Sequence, residues 1–185
     1  SESAMAPSRD KSAEAPERRA SALSLTDVFI DDVTWGCATR ARRAEWQQTI
    51  TELLHDSRCE QQLTPGEPAA TSLRAYVTVE PTALRVAFHD ERGDERGLIE
   101  LSRGVIAPVF REYFSLLTAI SSMGIGAYSP QVEALDIARK LMHNDAADLI
   151  IRHSTRIVPD HRTARHLFTL FLLVTHDTTK LQSLA

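Results

Sequence analysis

The spacing of apolar positions changes near the middle of this chain. "LRAYVTVE" and "ALRVAFHDE" alternate apolar and polar residues, separated by Pro81-Thr82, and "LIELS" follows after "ERGDERG". Period-two runs punctuated by turn residues predict three short strands in an antiparallel meander. From Val105 the period becomes 3.6. Val109, Tyr113, Leu116, Ile120 and Met123 fall on one face and Arg111, Ser115, Thr118 and Ser122 on the other, which predicts a helix. Pro108 fits that helix only in its first turn, where a missing N–H would have no partner anyway. "GIGAY" ends it. Ser129-Pro130 starts the next helix, with serine as N-cap and proline at the first helical position, and that helix runs to about His153. "TRIVP" reads as a short strand or extended linker, and Asp160 then caps a last helix, "HRTARHLFTLFLLVTH".

Upstream, "LTDVFIDDVT" (Leu25–Thr34) mixes β-branched and acidic residues, as an edge strand with one wet face does. Trp46, Ile50, Leu53 and Leu54 recur at helical spacing in "TRARRAEWQQTITELLHD", and "PGEP" at Pro65–Pro68 is a loop. The expected class is α+β. A small antiparallel sheet, a meander of three to five short strands, carries four helices on one face, three of them consecutive in the C-terminal half. Residues 1–22 lack aromatics and are rich in Ser, Ala, Pro, Glu and Arg, a composition that predicts a disordered tail; residues 23–185 form one domain.

Composition narrows the function classes. Leu25–Glu100 holds 8 Lys/Arg against 14 Asp/Glu, and Leu101–Ala185 holds 9 against 7. An acidic half beside a weakly basic half argues against a broad nucleic-acid surface and leaves room for a local basic patch. Cys37 and Cys59 are the only cysteines, too few for a disulfide framework, so a reduced cytoplasmic protein is expected. No run approaches a transmembrane length.

Candidate chemistry gathers in the last two helices. Leu135, Ala138, Met142, Ala146 and Leu149 define the core stripe of the first of them, with His143 at its margin. Asp136 and Arg139 precede His143 by one to two turns, and Asn144 points about 100° further round. A marginal histidine oriented by a carboxylate can serve as a general base; it can equally bridge two helices, and the bridging role is the expectation. Arg162, Arg165 and His166 begin the last helix, where its partial positive charge adds to theirs and favours an anion. His161 and His166, five residues apart, diverge by roughly 140°, which does not suit a zinc pair. Cys37 and Arg43 fit Cys-x5-Arg, a phosphatase-loop spacing, but no glycine lies between them and Ala44 follows the arginine. No metal or cofactor is expected.

"SPQVEALDIARKLMHNDA", "RIVPDHRTARHLFTL" and Tyr113-Phe114 resemble an alphaproteobacterial family, uncharacterised protein family 0262. The matching positions are Glu133, Ala134, Asp136, Arg139, His143 and Asn144, then Asp160, Thr163, Ala164, Arg165, Leu167, Phe168, Thr169 and Leu170. The resemblance is specific over Tyr113 to Leu170 and thinner over the first helix. His166 stands where the family pattern has a second arginine, Asp145 where it has glutamate, and Met142 intrudes before His143. The resemblance implies a bacterial cytosolic protein and brings no activity with it.

Three functional readings remain open. The leading one is a non-enzymatic domain that binds a macromolecular partner, a second copy or another protein, through the last helix, whose turns from Leu170 to Val174 are apolar all round. The second is an enzyme or small-anion binder. In it Asp136 orients His143 as the catalytic base, and Arg139, Asn144, Arg162 and Arg165 hold the anion. The third is RNA or ribosome association through Arg139, Arg152, Arg156, Arg162 and Arg165.

Overall fold

A computed structural model describes residues 22–123 and 130–179. The meander is present as β3 (Leu73–Val79), β4 (Ala83–His89) and β5 (Glu95–Ser102), paired antiparallel in sequence order. Leu73, Ala75 and Val77, Leu84, Val86 and Phe88, and Ile99 and Leu101 all face the core, as their alternation requires. The strand β1 (Leu25–Ile30) joins the edge of this meander but runs parallel to β3, so the sheet is mixed rather than antiparallel. The reason lies in the connection. The helix α2 (Arg40–Asp56) carries the chain back across the sheet before β3 begins, and a crossover of that kind returns the next strand in the same direction. A bulge between Leu25 and Asp27 lets Leu25 and Val28 both turn inward although they are an odd number of positions apart.

Two other elements depart from the expected pattern. "DDVT" is not strand: Asp31 accepts from the Thr34 N–H at 2.8 Å and from the Thr34 hydroxyl at 2.7 Å, capping a short helix α1 (Asp32–Cys37). Helices therefore number five among the described residues. A second, two-stranded sheet pairs β2 (Cys59–Gln61) with β7 (Ile157–Pro159), while β6 (Ser154–Thr155) extends the main sheet beside β5.

The helix α3 (Arg103–Ser121) starts directly from β5 because the Ser102 side chain accepts the Val105 N–H. Pro108 is consequently its sixth residue, inside the helix and not in the first turn as expected. The buried stripe is Ile106, Phe110 and Tyr113, a rotation of the expected face that retains Tyr113. The helix α4 begins at Pro130 and runs to Arg152; the N-cap expected at Ser129, the "GIGAY" break and the tail over residues 1–21 lie outside the described residues.

Asp160 caps α5 (His161–Thr175) by accepting the Thr163 N–H at 2.8 Å. This last helix packs between α2 and α4, and Leu170, Phe171, Leu172 and Val174 are all buried within the chain. Its closing carbonyls are satisfied internally: Trp46 Nε1 donates to the Leu173 carbonyl at 2.9 Å and Arg42 Nη2 to the Leu173 and Val174 carbonyls. The apolar end of α5 is thus core of its own chain, which corrects the expectation of a homodimer or protein partner on that helix. Among the described residues no helix is long and apolar enough to cross a membrane.

Candidate anion site between the last two helices

His143 projects from α4 toward both α3 and α5. Its Nε2 lies 2.8 Å from the Tyr113 hydroxyl. Its ring stands edge-on to Tyr113 at 5.0 Å and to Phe168 at 5.5 Å. Tyr113 is 7% exposed and Phe168 0%, so the two rings present an apolar wall to the imidazole. A buried tyrosine needs a partner for its hydroxyl, and His143 supplies it. Asp136, expected to orient His143, does not do so. Its carboxylate is held by Lys140 and Arg139, each at 2.9 Å, and those hydrogen bonds lower its pKa. The partner at Nε2 is Tyr113, which the sequence reading placed in an apolar stripe and in the family pattern but gave no polar role.

The electrostatics keep the histidine neutral. Burial lowers its pKa to about 4, reinforced by the positive charges of Arg165, Arg139 and His166. Burial also raises the pKa of Tyr113, while Arg139, facing its hydroxyl, works in the other direction. Arginine can only donate, so where Arg139 engages the tyrosine oxygen the tyrosine proton goes to Nε2. The neutral imidazole then carries its own proton on Nδ1, which has no partner among the described residues.

A cavity of about 220 Å³ opens beside this ring, lined by His143, Arg162, Arg165, His166 and Thr169. Four of these come from successive turns of α5. Arg162 is engaged by Asp56 at 2.5 Å, and His166 lies 3.8 Å from Glu52. The exposed Arg165 side chain makes no ion pair or hydrogen bond among the described residues. The site therefore unites His143, Arg162 and Arg165 of the expected residues, with Arg139 behind Tyr113. Asn144, half-buried on α4, is not part of the lining. His166, read with Arg162 and Arg165 at the start of the last helix, also lines it; Thr169, Tyr113 and Phe168 are the additions, at helical spacings that the sequence assigned to flank or core.

The family model described as "Uncharacterised protein family (UPF0262)" matches residues 22–177. The chain belongs to this family. Among its relatives is a UPF0262 protein of Acidiphilium cryptum, 27% identical over 147 residues that cover 79% of this chain and 88% of the relative. Another, from Phenylobacterium zucineum, is 30% identical over 152 residues, covering 79% and 89%. A third, from Azorhizobium caulinodans, is 28% identical over 149 residues, covering 79% and 90%. Their names state no substrate or activity, and no solved structure is a significant match.

Elsewhere in this UPF0262 chain, the other constellations take structural roles. Arg43 donates to the Trp35 carbonyl at 2.9 Å and the Gly36 carbonyl at 3.2 Å, so it closes the end of α1 and forms no phosphatase loop with Cys37. Both cysteines are free; Cys37 is exposed, and burial pushes the Cys59 thiol up to about 12. Of the arginines considered for RNA, Arg139 pairs with Asp136, Arg156 with Glu67 and Arg162 with Asp56, which divides the basic stretch. His161 lies 3.3 Å from Asp148 and so faces α4, apart from His166. Among the described residues no three His, Cys, Asp or Glu side chains converge.

The depressed pKa of His143 gives this protein a testable acid sensitivity. The unfolded chain takes up this proton near pH 6.5, the folded chain only near 4. Between those values each step down in pH favours the unfolded state; above 6.5 the contribution is fully present. Urea denaturation at pH 7 and at pH 5 measures this. His143→Gln, whose amide can still meet Tyr113, is expected to lose less stability over that interval than the wild type. Equal losses in the two proteins would exclude His143 as the source.

Proposed function

We propose that this protein binds a small phosphate- or carboxylate-bearing ligand in the cavity between α4 and α5, without performing chemistry on it. The observation that carries this reading is the guanidinium of Arg165, unpaired among the described residues and set in a recess lined also by His143, Arg162, His166 and Thr169, none of them acidic. An unpaired arginine is a fork of donors without an acceptor, and its preferred partners are carboxylate and phosphate oxygens. The Nδ1–H of His143 adds a neutral donor, while the Thr169 hydroxyl donates to the Arg165 carbonyl at 3.3 Å and holds that turn of α5 in place. The same arrangement supports binding over catalysis, because an imidazole held neutral by burial and by neighbouring cations is a weak base. A cytoplasmic setting, with both cysteines reduced, accords with this role.

The test is isothermal titration at low ionic strength with inorganic phosphate, pyrophosphate and a panel of phosphorylated sugars. Wild type is expected to bind at least one of them saturably, and Arg165→Ala to weaken that binding about tenfold or more, the scale of one charge-assisted hydrogen bond. The absence of binding in the wild type, or equal affinity in Arg165→Ala, would sink the proposal.

A further inference from the structure

A second and larger recess, about 430 Å³, lies on the other side of the aromatic cluster, between α3 and the residue that ends α5. Its floor is Ile106, Phe110 and Phe114, one stripe of α3, and its side is the ring of His176. That ring stands 5.1 Å from Phe110 and 4.7 Å from Phe114. His176 is locked there: its backbone N–H donates to the Leu172 carbonyl at 3.0 Å, and its Nδ1 meets the Thr175 hydroxyl at 2.8 Å.

The rim has one sign of charge. Arg103 and Arg111 flank the opening with Ser115 between helical turns, and none of the lining residues is acidic. Arg103 is fixed by donating from Nε to the Glu80 carbonyl at 3.2 Å. The Arg111 side chain is exposed and engages nothing among the described residues. The volume falls within the range of small-molecule sites, about 300–1,000 Å³, which are mostly apolar with a few placed polar groups. Three rings on the walls favour a flat aromatic body packed edge-to-face or offset, and two guanidinium groups at the mouth favour a carboxylate.

We infer that the recess between Phe110, Phe114 and His176 is a binding site for an aromatic carboxylate, its rings seated on α3 and its anion held by Arg103 and Arg111. The site is separate from the Arg165 cavity. Phe168 stands between them, stacked on Phe110 at 5.8 Å and edge-on to His143 at 5.5 Å, so the two sites can be tested independently.

The probe is 2-naphthoate, followed by its own fluorescence and by calorimetry, with 2-naphthylmethylammonium as the cation of the same shape. Saturable one-to-one binding of the naphthoate is expected, with none of the cation. Arg111→Glu should weaken it about tenfold or more. Ala107→Leu, which adds bulk at the recess wall, should weaken it as well, with the thermal midpoint unchanged in both variants. Arg165→Ala should leave it as it is. The inference is overturned if wild type does not bind naphthoate at millimolar concentration or if the cation binds as well. It is equally overturned if Arg111→Glu and Ala107→Leu fold normally and keep full affinity, or if Arg165→Ala removes the binding.

Discussion

Phe168→Ala is expected to lower the folding free energy by about 3–5 kcal/mol, the usual cost of emptying a buried phenylalanine site. For a chain of this size that is a fall of roughly 6–20 °C in the thermal midpoint. Phe168 is 0% exposed and is the hub of the ring cluster: Phe110 at 5.8 Å, Tyr113 at 5.6 Å and His143 at 5.5 Å all rest on it. These neighbours come from α3 and α4, so the void cannot be closed by one helix moving alone. Phe168→Leu keeps most of the volume and should cost well under half as much. The change also reaches the candidate site beside His143. Water admitted beside the imidazole would relieve its burial, and the His143 pKa should rise from about 4 toward 6.5, measurable by NMR titration of the ring protons. A loss under about 1 kcal/mol, by chemical denaturation, would show that the cluster can collapse without this ring.

Gly97→Ala should be comparably damaging, for want of space. A Cβ at Gly97 would stand 2.6 Å from both the backbone nitrogen and Cγ1 of Ile157, and 2.7 Å from its Cβ. Ile157 cannot retreat easily: it is 1% exposed and its strand β7 is paired with β2 through Gln61. Displacing β7 from β5 is expected to cost about 3 kcal/mol, at the upper end of ordinary overpacking. Adding Ile157→Val to Gly97→Ala should not restore stability, since the backbone nitrogen is as close as the side chain. Gly104→Ala is the contrasting control. Nothing lies within 4 Å of its Cβ position, and a helical alanine there should be neutral or slightly stabilising. Recovery of wild-type stability by Ile157→Val would show that only the side chain obstructs.

The sequence made much of this molecule legible, through periodicity above all. β3, β4 and β5 alternate cleanly, and the cap read at Asp160 hydrogen-bonds as caps do, whereas the caps at Thr39 and Ser102 emerged only in the structure. The misreadings share a physical cause. α1 and β2 are six and three residues long, too short for any period to emerge, and β2 exists only because it pairs with β7, the short strand read in "TRIVP" and far away in the chain. The bulge in β1 broke the alternation that identifies a strand's inner face. Pro108 misled because its cost was assigned to helix geometry alone, whereas the Ser102 cap and the burial of Ile106 and Phe110 outweigh one missing hydrogen bond.

At the candidate site, the sequence by itself determined which polar residues lie on which helices. His143, Arg162 and Arg165 were recognisable as polar groups on amphipathic helices, and the family pattern was readable from Tyr113 to Leu170. Tertiary structure alone decided who meets whom. Asp136, seven residues from His143 on the same helix, turned to Arg139 and Lys140 within reach of its own turn, while Tyr113, thirty residues away, became the histidine's partner. It also decided that the apolar end of α5 is interior. Helical spacing fixes the direction of a side chain about its own axis; what stands in that direction depends on how the helices cross, and that is set by the whole core.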